Sequence, residues 1–298
     1  MNKLNSAFIT ALKGFGMGAA NVVPGVSGGT IALLTGIYSD IVDAISAITD
    51  KQTWKALLNG RFSEFWTLIK GSFLLSLAIG VILSILSLAK LMTFCLNNYP
   101  ILTWAFFFGL IIASSFYMFR DIRKWSVKYV VTVIIGIILG IVVCTLSPTS
   151  TTDDAWFIFI CGAIAICTMI LPGISGSFIL VIFGKYDYIM QAISGMNLPV
   201  LAVFALGCLV GILAFAKLLH WLLGKWEKET ILILLGFVLG SLVKIWPWND
   251  MDAAAQAQIL RCGSADPINY QIPGAIVCCV AGVALVVIIE LLSKKKNV

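Results

Sequence analysis

Pro24-Gly25-Val26-Ser27-Gly28-Gly29-Thr30 returns 148 residues later as Pro172-Gly173-Ile174-Ser175-Gly176-Ser177-Phe178. Carried on to Ser46 and Ser194, the alignment gives 11 identities in 23 positions, including Gly36/Gly184, Tyr38/Tyr186 and the Ala-Ile-Ser endings. Chance in so apolar a chain gives about two or three, so this is an internal repeat. Further along the offset drops to 127: Gly80 matches Gly207, Ala89-Lys90-Leu91 matches Ala216-Lys217-Leu218, Gly109 matches Gly236, and Ser114 matches Ser241. The change in offset is close to the length of the polar segment 50–70, which reads as an insertion in the first copy.

Each motif lies in the middle of an apolar stretch, at 14–45 and at 156–193. Proline removes a backbone donor and glycine tolerates positive φ, so both stretches are expected to break at their centres. Non-helical backbone at membrane depth persists only where protein or a wet cavity satisfies it. Each stretch therefore reads as a re-entrant hairpin of two short helices.

A bilayer is the expected surrounding. Of the 298 residues, 60% are hydrophobic and 11% charged, against about 25% charged in soluble domains. Charge-free runs at 71–89, 101–119, 129–147, 199–216, 230–243 and 268–289 give about six full spans, the fifth lengthened by Lys244 snorkelling. The net charge of +6 comes from basic residues in short loops, which is a topology signal and excludes a nucleic-acid footprint. With the N-terminus, 47–70, 120–128, 224–229 and the C-terminus inside, 15 basic residues lie on that face. Lys185 and Arg261 lie on the other, with Asp153, Asp154, Asp250, Asp252 and Asp266. Both termini are then cytoplasmic. Residues 1–18 lack the apolar core and cleavage site of a signal peptide.

Three full spans separate the hairpins, so the second enters from the opposite face. The expected fold is a single all-α polytopic membrane domain, 1–298, made of inverted repeats 1–148 and 149–298. Carriers with such repeats bind where broken helices meet near the midplane.

The motif chemistry points to an anion. A helix starting at a break presents free amides and a positive dipole end, and serine is a good N-cap. The expected ligand set is Pro24, Gly25, Ser27, Gly28, Gly29 and Thr30 facing Pro172, Gly173, Ser175, Gly176 and Ser177, with Asn21 adding a neutral hydrogen bond. Lys90 and Lys217, related by the repeat, and His220 one turn beyond are candidate cationic contacts; for the two lysines, near helix ends, snorkelling to the interface is the commoner explanation. Asp40 and Asp43 are candidate proton or cation carriers but read first as a solvated helix end, since their repeat partners are Tyr188 and Gln191. Trp104, Trp156, Trp246 and Trp248 read as interfacial belt residues. One histidine and eight cysteines, mostly inside apolar runs, fit no metal pattern, and no cofactor is expected. Cys95 and Cys262, which lie nearer loops and would both face outward, are the one candidate disulfide.

The stretches from Gly18 to Thr30, from Leu171 to Ser177 and from Gly240 to Pro247 resemble the PopT family of bacterial polyprenyl-phosphate transporters, across nearly the whole chain. The resemblance implies a flippase that recycles undecaprenyl phosphate from the outer to the inner leaflet of the cytoplasmic (inner) membrane for cell wall biogenesis. The residues alone reach an anion. Undecaprenyl-pyrophosphate phosphatase has similar hairpins and a P-G-x-S motif, but continues with Arg where this chain has Gly28 and Gly176. It also carries paired glutamates, absent from the apolar runs here, so hydrolysis is disfavoured. A small-anion channel or exchanger, and coupling to protons or sodium, stay open on sequence alone.

Overall fold

The computed structural model describes residues 3–22, 27–120, 122, 125–148, 151–249, 251–262 and 271–295, which form helices and, among the described residues, no strand. The order is α1 (Lys3–Val22), α2 (Gly28–Leu34), α3 (Tyr38–Ala47), α4 (Lys51–Leu58), α5 (Phe62–Leu68), α6 (Gly71–Asn98) and α7 (Pro100–Arg120). There follow α8 (Val127–Cys144), α9 (Ala155–Ile170), α10 (Gly176–Ile182), α11 (Tyr186–Ser194), α12 (Leu198–Ser241), α13 (Met251–Cys262) and α14 (Ile272–Lys295).

Among the described residues, α6, α7, α8 and α12 are long and apolar enough to cross a membrane, and Ile272–Ile288 is a shorter apolar helix. The 44 residues of α12 would make a rod of about 66 Å, over twice the roughly 30 Å hydrocarbon core. Trp226, with φ −139° and ψ 56°, divides it into two arms, which carry the fourth and fifth expected spans. The sequence reading placed a loop at 224–229; the chain instead stays helical on both sides of Trp226. Lys225, Glu227, Lys228 and Glu229 are good helix formers, Lys225 lies over the Trp221 and Trp226 rings, and Glu229 pairs with Lys128 at the start of α8. α8 stops at Cys144, short of the expected 147, as Thr145 bonds back to Ile141 and Pro148 follows. Residues 268–270 of the sixth span, and the side chain of Cys262 with its pairing to Cys95, lie outside the described residues.

The second hairpin folds back on itself. Its inbound arm, α9, has 16 residues, about 24 Å and too short to span. The chain turns at 171–175, with Gly173 at φ +93°, and α10 runs back along α9 so closely that a Cβ on Gly176 would lie 2.7 Å from the Ala165 oxygen. Exit meets entry: Thr151 Oγ1 donates to the Phe183 oxygen at 2.5 Å, and buried Lys185 donates to the Thr151 oxygen at 2.8 Å and pairs with Asp153 at 2.6 Å. In the first hairpin Lys13 Nζ donates to the Thr35 oxygen at 2.7 Å, tying the end of α2 back to α1. Thr35 and Phe183 are the same repeat position, held by different donors.

Both return arms are seven residues long, shorter than the sequence implied. Each ends at a left-handed glycine, Gly36 (φ +71°) or Gly184 (φ +62°), where other residues are strained. The chain then enters α3 or α11, and the α2–α3 bend is 115°.

Four parallel helix pairs close around glycines. On α1 and α6, Gly14 packs against the Leu77 oxygen and Gly80 against that of Ala11; on α9 and the first arm of α12, Gly162 packs against Phe204 and Gly207 against Phe159. These contacts superpose at the offsets of 148 and 127. The other two pairs cross between sequence halves. Gly109 of α7 packs on Cys279 of α14 and Gly282 on Phe106, while Gly236 of α12 packs on Val133 of α8 and Gly136 on Ile233. Backbones this close leave no room for a Cβ, which is how small residues join helices in lipid. The outward faces stay apolar: Val131, Ile134, Ile138 and Val142 of α8 are exposed, as are Ile276, Val277 and Val280 of α14, the surface a lipid-facing helix needs.

Candidate functional site

The two breaks meet tip to tip. Ser27 Oγ donates to the Leu171 oxygen at 3.1 Å, and the Gly173 amide donates to Thr30 Oγ1 at 2.8 Å. Gly29 fits because a Cβ there would sit 2.5 Å from the Ile170 oxygen. Residues 144 and 143 apart in sequence are thus joined by one reciprocal pair of bonds.

Both serines cap as their sequence predicts. Ser27 Oγ accepts from the Gly29 amide at 3.1 Å at the start of α2, and Ser175 Oγ accepts from the Phe178 amide at 3.3 Å at the start of α10. In extended N-cap geometry each hydroxyl satisfies an amide without a helical partner. Asn21 Oδ1 takes the Gly28 amide at 2.8 Å, so it serves the break directly.

The two tips are unequally open. Ser27, Gly28, Gly29, Thr30, Pro172 and Gly173 are buried in the junction; Ser175 and Gly176 are half-buried, and Ser177 is exposed with its Oγ 3.2 Å from that of Ser175. Pro24 and Gly25 lie outside the described residues. The oxygens of Asn21 and Thr30, expected to face a ligand, are engaged within the protein here.

Lys90, Lys217 and His220 are not drawn to the tips. Lys90 and Lys217 are exposed on α6 and α12. His220 Nδ1 lies 2.9 Å from Asp43 Oδ1, and Lys70 bridges Asp40 at 2.8 Å and Asp43 at 3.1 Å. Asp40 and Asp43, still partly exposed, are thus also paired, and they tie α3 to α6 and α12. Burial opposes charge on Lys70, but its hydrogen bonds to both carboxylates outweigh that and hold it above the ordinary lysine value.

One residue near the second break escaped the sequence reading, which took Lys244 only as a snorkelling group. Its Nζ lies 4.9 Å from the centroid of the Phe178 ring, in the first turn of α10. The signal was its place three residues after Ser241, whose Oγ a Cβ on Gly173 would approach to 2.8 Å.

Among known proteins, the chain is similar to two curated relatives named polyprenyl-phosphate transporter. One, from Vibrio cholerae serotype O1 (strain ATCC 39315 / El Tor Inaba N16961), is 44% identical over 244 residues, covering 81% of this chain and 78% of the relative. The other, from Staphylococcus aureus (strain NCTC 8325 / PS 47), is 35% identical over 258 residues, covering 80% and 86%. No solved structure gives a significant match. Residues 17–260 match the family described as VCA0040-like, undecaprenyl phosphate translocase-like. That stretch contains both breaks, their junction and the Lys244 turn, and the chain, a multi-pass membrane protein, belongs to this family.

Proposed function

We propose that this protein is a carrier, not an enzyme, that moves undecaprenyl phosphate from the outer to the inner leaflet of the bacterial cytoplasmic membrane and so returns it for cell-wall precursor synthesis. The family and the names of its relatives support a polyprenyl phosphate as cargo.

The observation that carries the reading is the reciprocal pair of bonds between the tips. Both donors, the Ser27 hydroxyl and the Gly173 amide, now spend themselves on neutral oxygens. A neutral hydrogen bond is worth about 1 kcal/mol net, and one to an anion roughly twice that. A phosphate arriving between the breaks can therefore take both donors as the tips part, adding the hydroxyls of Ser175 and Ser177 and the backbone at Pro24–Thr30 and Pro172–Ser177. When it leaves, the tips rejoin.

Inverted repeats, 1–148 and 149–298, are part of this proposal. The parallel seams support it: if α1 and α6 start inside, then α9 and the first arm of α12 start outside, as the loop charges require. Both termini are then cytoplasmic. Tips entering from opposite faces let one site serve either leaflet. Hydroxyls, amides and glycines at the junction suit binding and release; hydrolysis of a phosphoanhydride needs an activated nucleophile and charge stabilisation.

The experiment is purified protein in liposomes with labelled undecaprenyl phosphate. Movement of the lipid between leaflets without release of inorganic phosphate is the expected result. Phosphate release, or small-anion flux with the lipid stationary, overturns the proposal.

A further inference from the structure

We infer that Lys244 is the cation that receives the phosphate monoester at the second break, an assignment that rests on the carrier reading above. The turn after α12 spans that break on two contacts. Ser241 abuts Gly173 on one side, and Lys244 reaches Phe178 on the other. Between Gly173 and Phe178 in sequence are Ser175 and Ser177, whose hydroxyls are 3.2 Å apart.

The turn is firmly set. The Lys244 amide donates to the Ser241 oxygen at 2.9 Å, its carbonyl accepts from Asn249 Nδ2 at 3.3 Å, and the next residue, Ile245, is fully buried. A lysine in a membrane normally stretches its stem toward the head groups. This one is half-buried and holds its ammonium over a ring in the first turn of α10, at the depth of the tip. Among the described residues no carboxylate lies within ion-pair distance of it. A half-buried ammonium resting on an aromatic face is satisfied while no anion is present, yet a phosphate offers full opposite charge and takes it readily. Exposed Ser177 and half-buried Ser175 complete a donor set on the accessible side of the junction.

The arrangement belongs to one half only. At the repeat offsets, Lys244 corresponds to Tyr117 and Phe178 to Thr30. The first tip thus has a buried hydroxyl where the second has a ring bearing a cation. Head-group capture is concentrated on the second hairpin, and the two tips differ in affinity for the anion although their backbones are alike.

The test measures binding of farnesyl monophosphate, farnesol and inorganic phosphate to the full chain in neutral-lipid nanodiscs, for wild type, Lys244→Gln and Lys244→Arg. Lys244→Gln is expected to weaken farnesyl monophosphate by about tenfold or more while leaving farnesol unchanged, and Lys244→Arg to restore most of the affinity. Unchanged monophosphate binding in Lys244→Gln, or equal loss of both prenyl ligands, overturns the assignment. Inorganic phosphate binding as tightly as the prenyl ester, and weakened by Lys244→Gln, supports Lys244 as the anion contact but makes the ligand a free anion. Wild type that binds no farnesyl monophosphate yet moves undecaprenyl phosphate defeats the Lys244 assignment alone; wild type that moves no lipid defeats the carrier reading.

Discussion

The Ser27 hydroxyl donates to the Leu171 carbonyl, 3.1 Å away across the junction of two hairpins, while its Oγ accepts from the Gly29 amide. One buried atom therefore holds both its own helix start and the opposing break.

Replacing Ser27 with alanine strips the Leu171 oxygen and the Gly29 amide of a partner together. The expected loss is about 1–2 kcal/mol of stability, from a missing cap and buried unsatisfied groups, with translocation impaired at least severalfold. Ser175→Ala removes a cap at a half-buried site, so its stability cost is smaller while transport falls comparably. Thermal unfolding in detergent beside the liposome assay separates the two. Wild-type transport in both variants sinks the assigned site.

Thr30→Val keeps the shape of the side chain and deletes the acceptor for the Gly173 amide. A buried amide without a partner costs about 1–3 kcal/mol. Thr30→Ser retains the hydroxyl and is expected to behave close to wild type in the same unfolding assay.

Glycines on the seams and off them should respond oppositely to alanine. At Gly207 a Cβ would collide with the Phe159 backbone, whereas around Gly224 nothing lies within 4 Å. Gly207→Ala is expected to lower stability by about 1–3 kcal/mol through overpacking. Gly224→Ala, within α12, is expected to raise it by up to about 1 kcal/mol through helix propensity. Equal effects at the two sites would contradict the seam geometry.

Lys70 gives a pH signature. Its folded pKa is raised by Asp40 and Asp43, so its contribution to stability is fully present below the ordinary lysine value near 10.5 and fades as pH climbs past it. Unfolding of wild type and Lys70→Met measured from pH 8 to 11.5 should differ at the low end and converge at the high end. A gap that widens with pH contradicts the assigned sign.

Much of this architecture could be read before any coordinates, because its determinants are local. Pro-Gly-x-Ser-Gly dictates a break, and Ser27 and Ser175 dictate caps, whereas the left-handed turns at Gly36 and Gly184, which end both return arms early, were visible only as repeat identities. What sequence could not reveal is which partner each freed group finds. Thr30 and Asn21 looked like ligand contacts since their polarity is visible in sequence, while the amides they serve, Gly173 and Gly28, come into reach only through folding. His220 was grouped with Lys217 by proximity along the helix, yet its side chain meets Asp43, 177 residues away. Lys244 was overlooked because a lysine at the end of an apolar run reads as an anchor, and only the ring of Phe178 beneath it reveals where the charge rests. The helical bridge around Trp226 was missed because charged residues between two spans usually signal a loop.

The crossed seams mean that the molecule is woven. α7 is zipped to α14 and α8 to the second arm of α12, so a polypeptide cut near its midpoint yields two fragments with bare glycine grooves, each fitting a ridge on the other. Neither fragment is a self-sufficient bundle, and co-expressed they should reassemble without a covalent link.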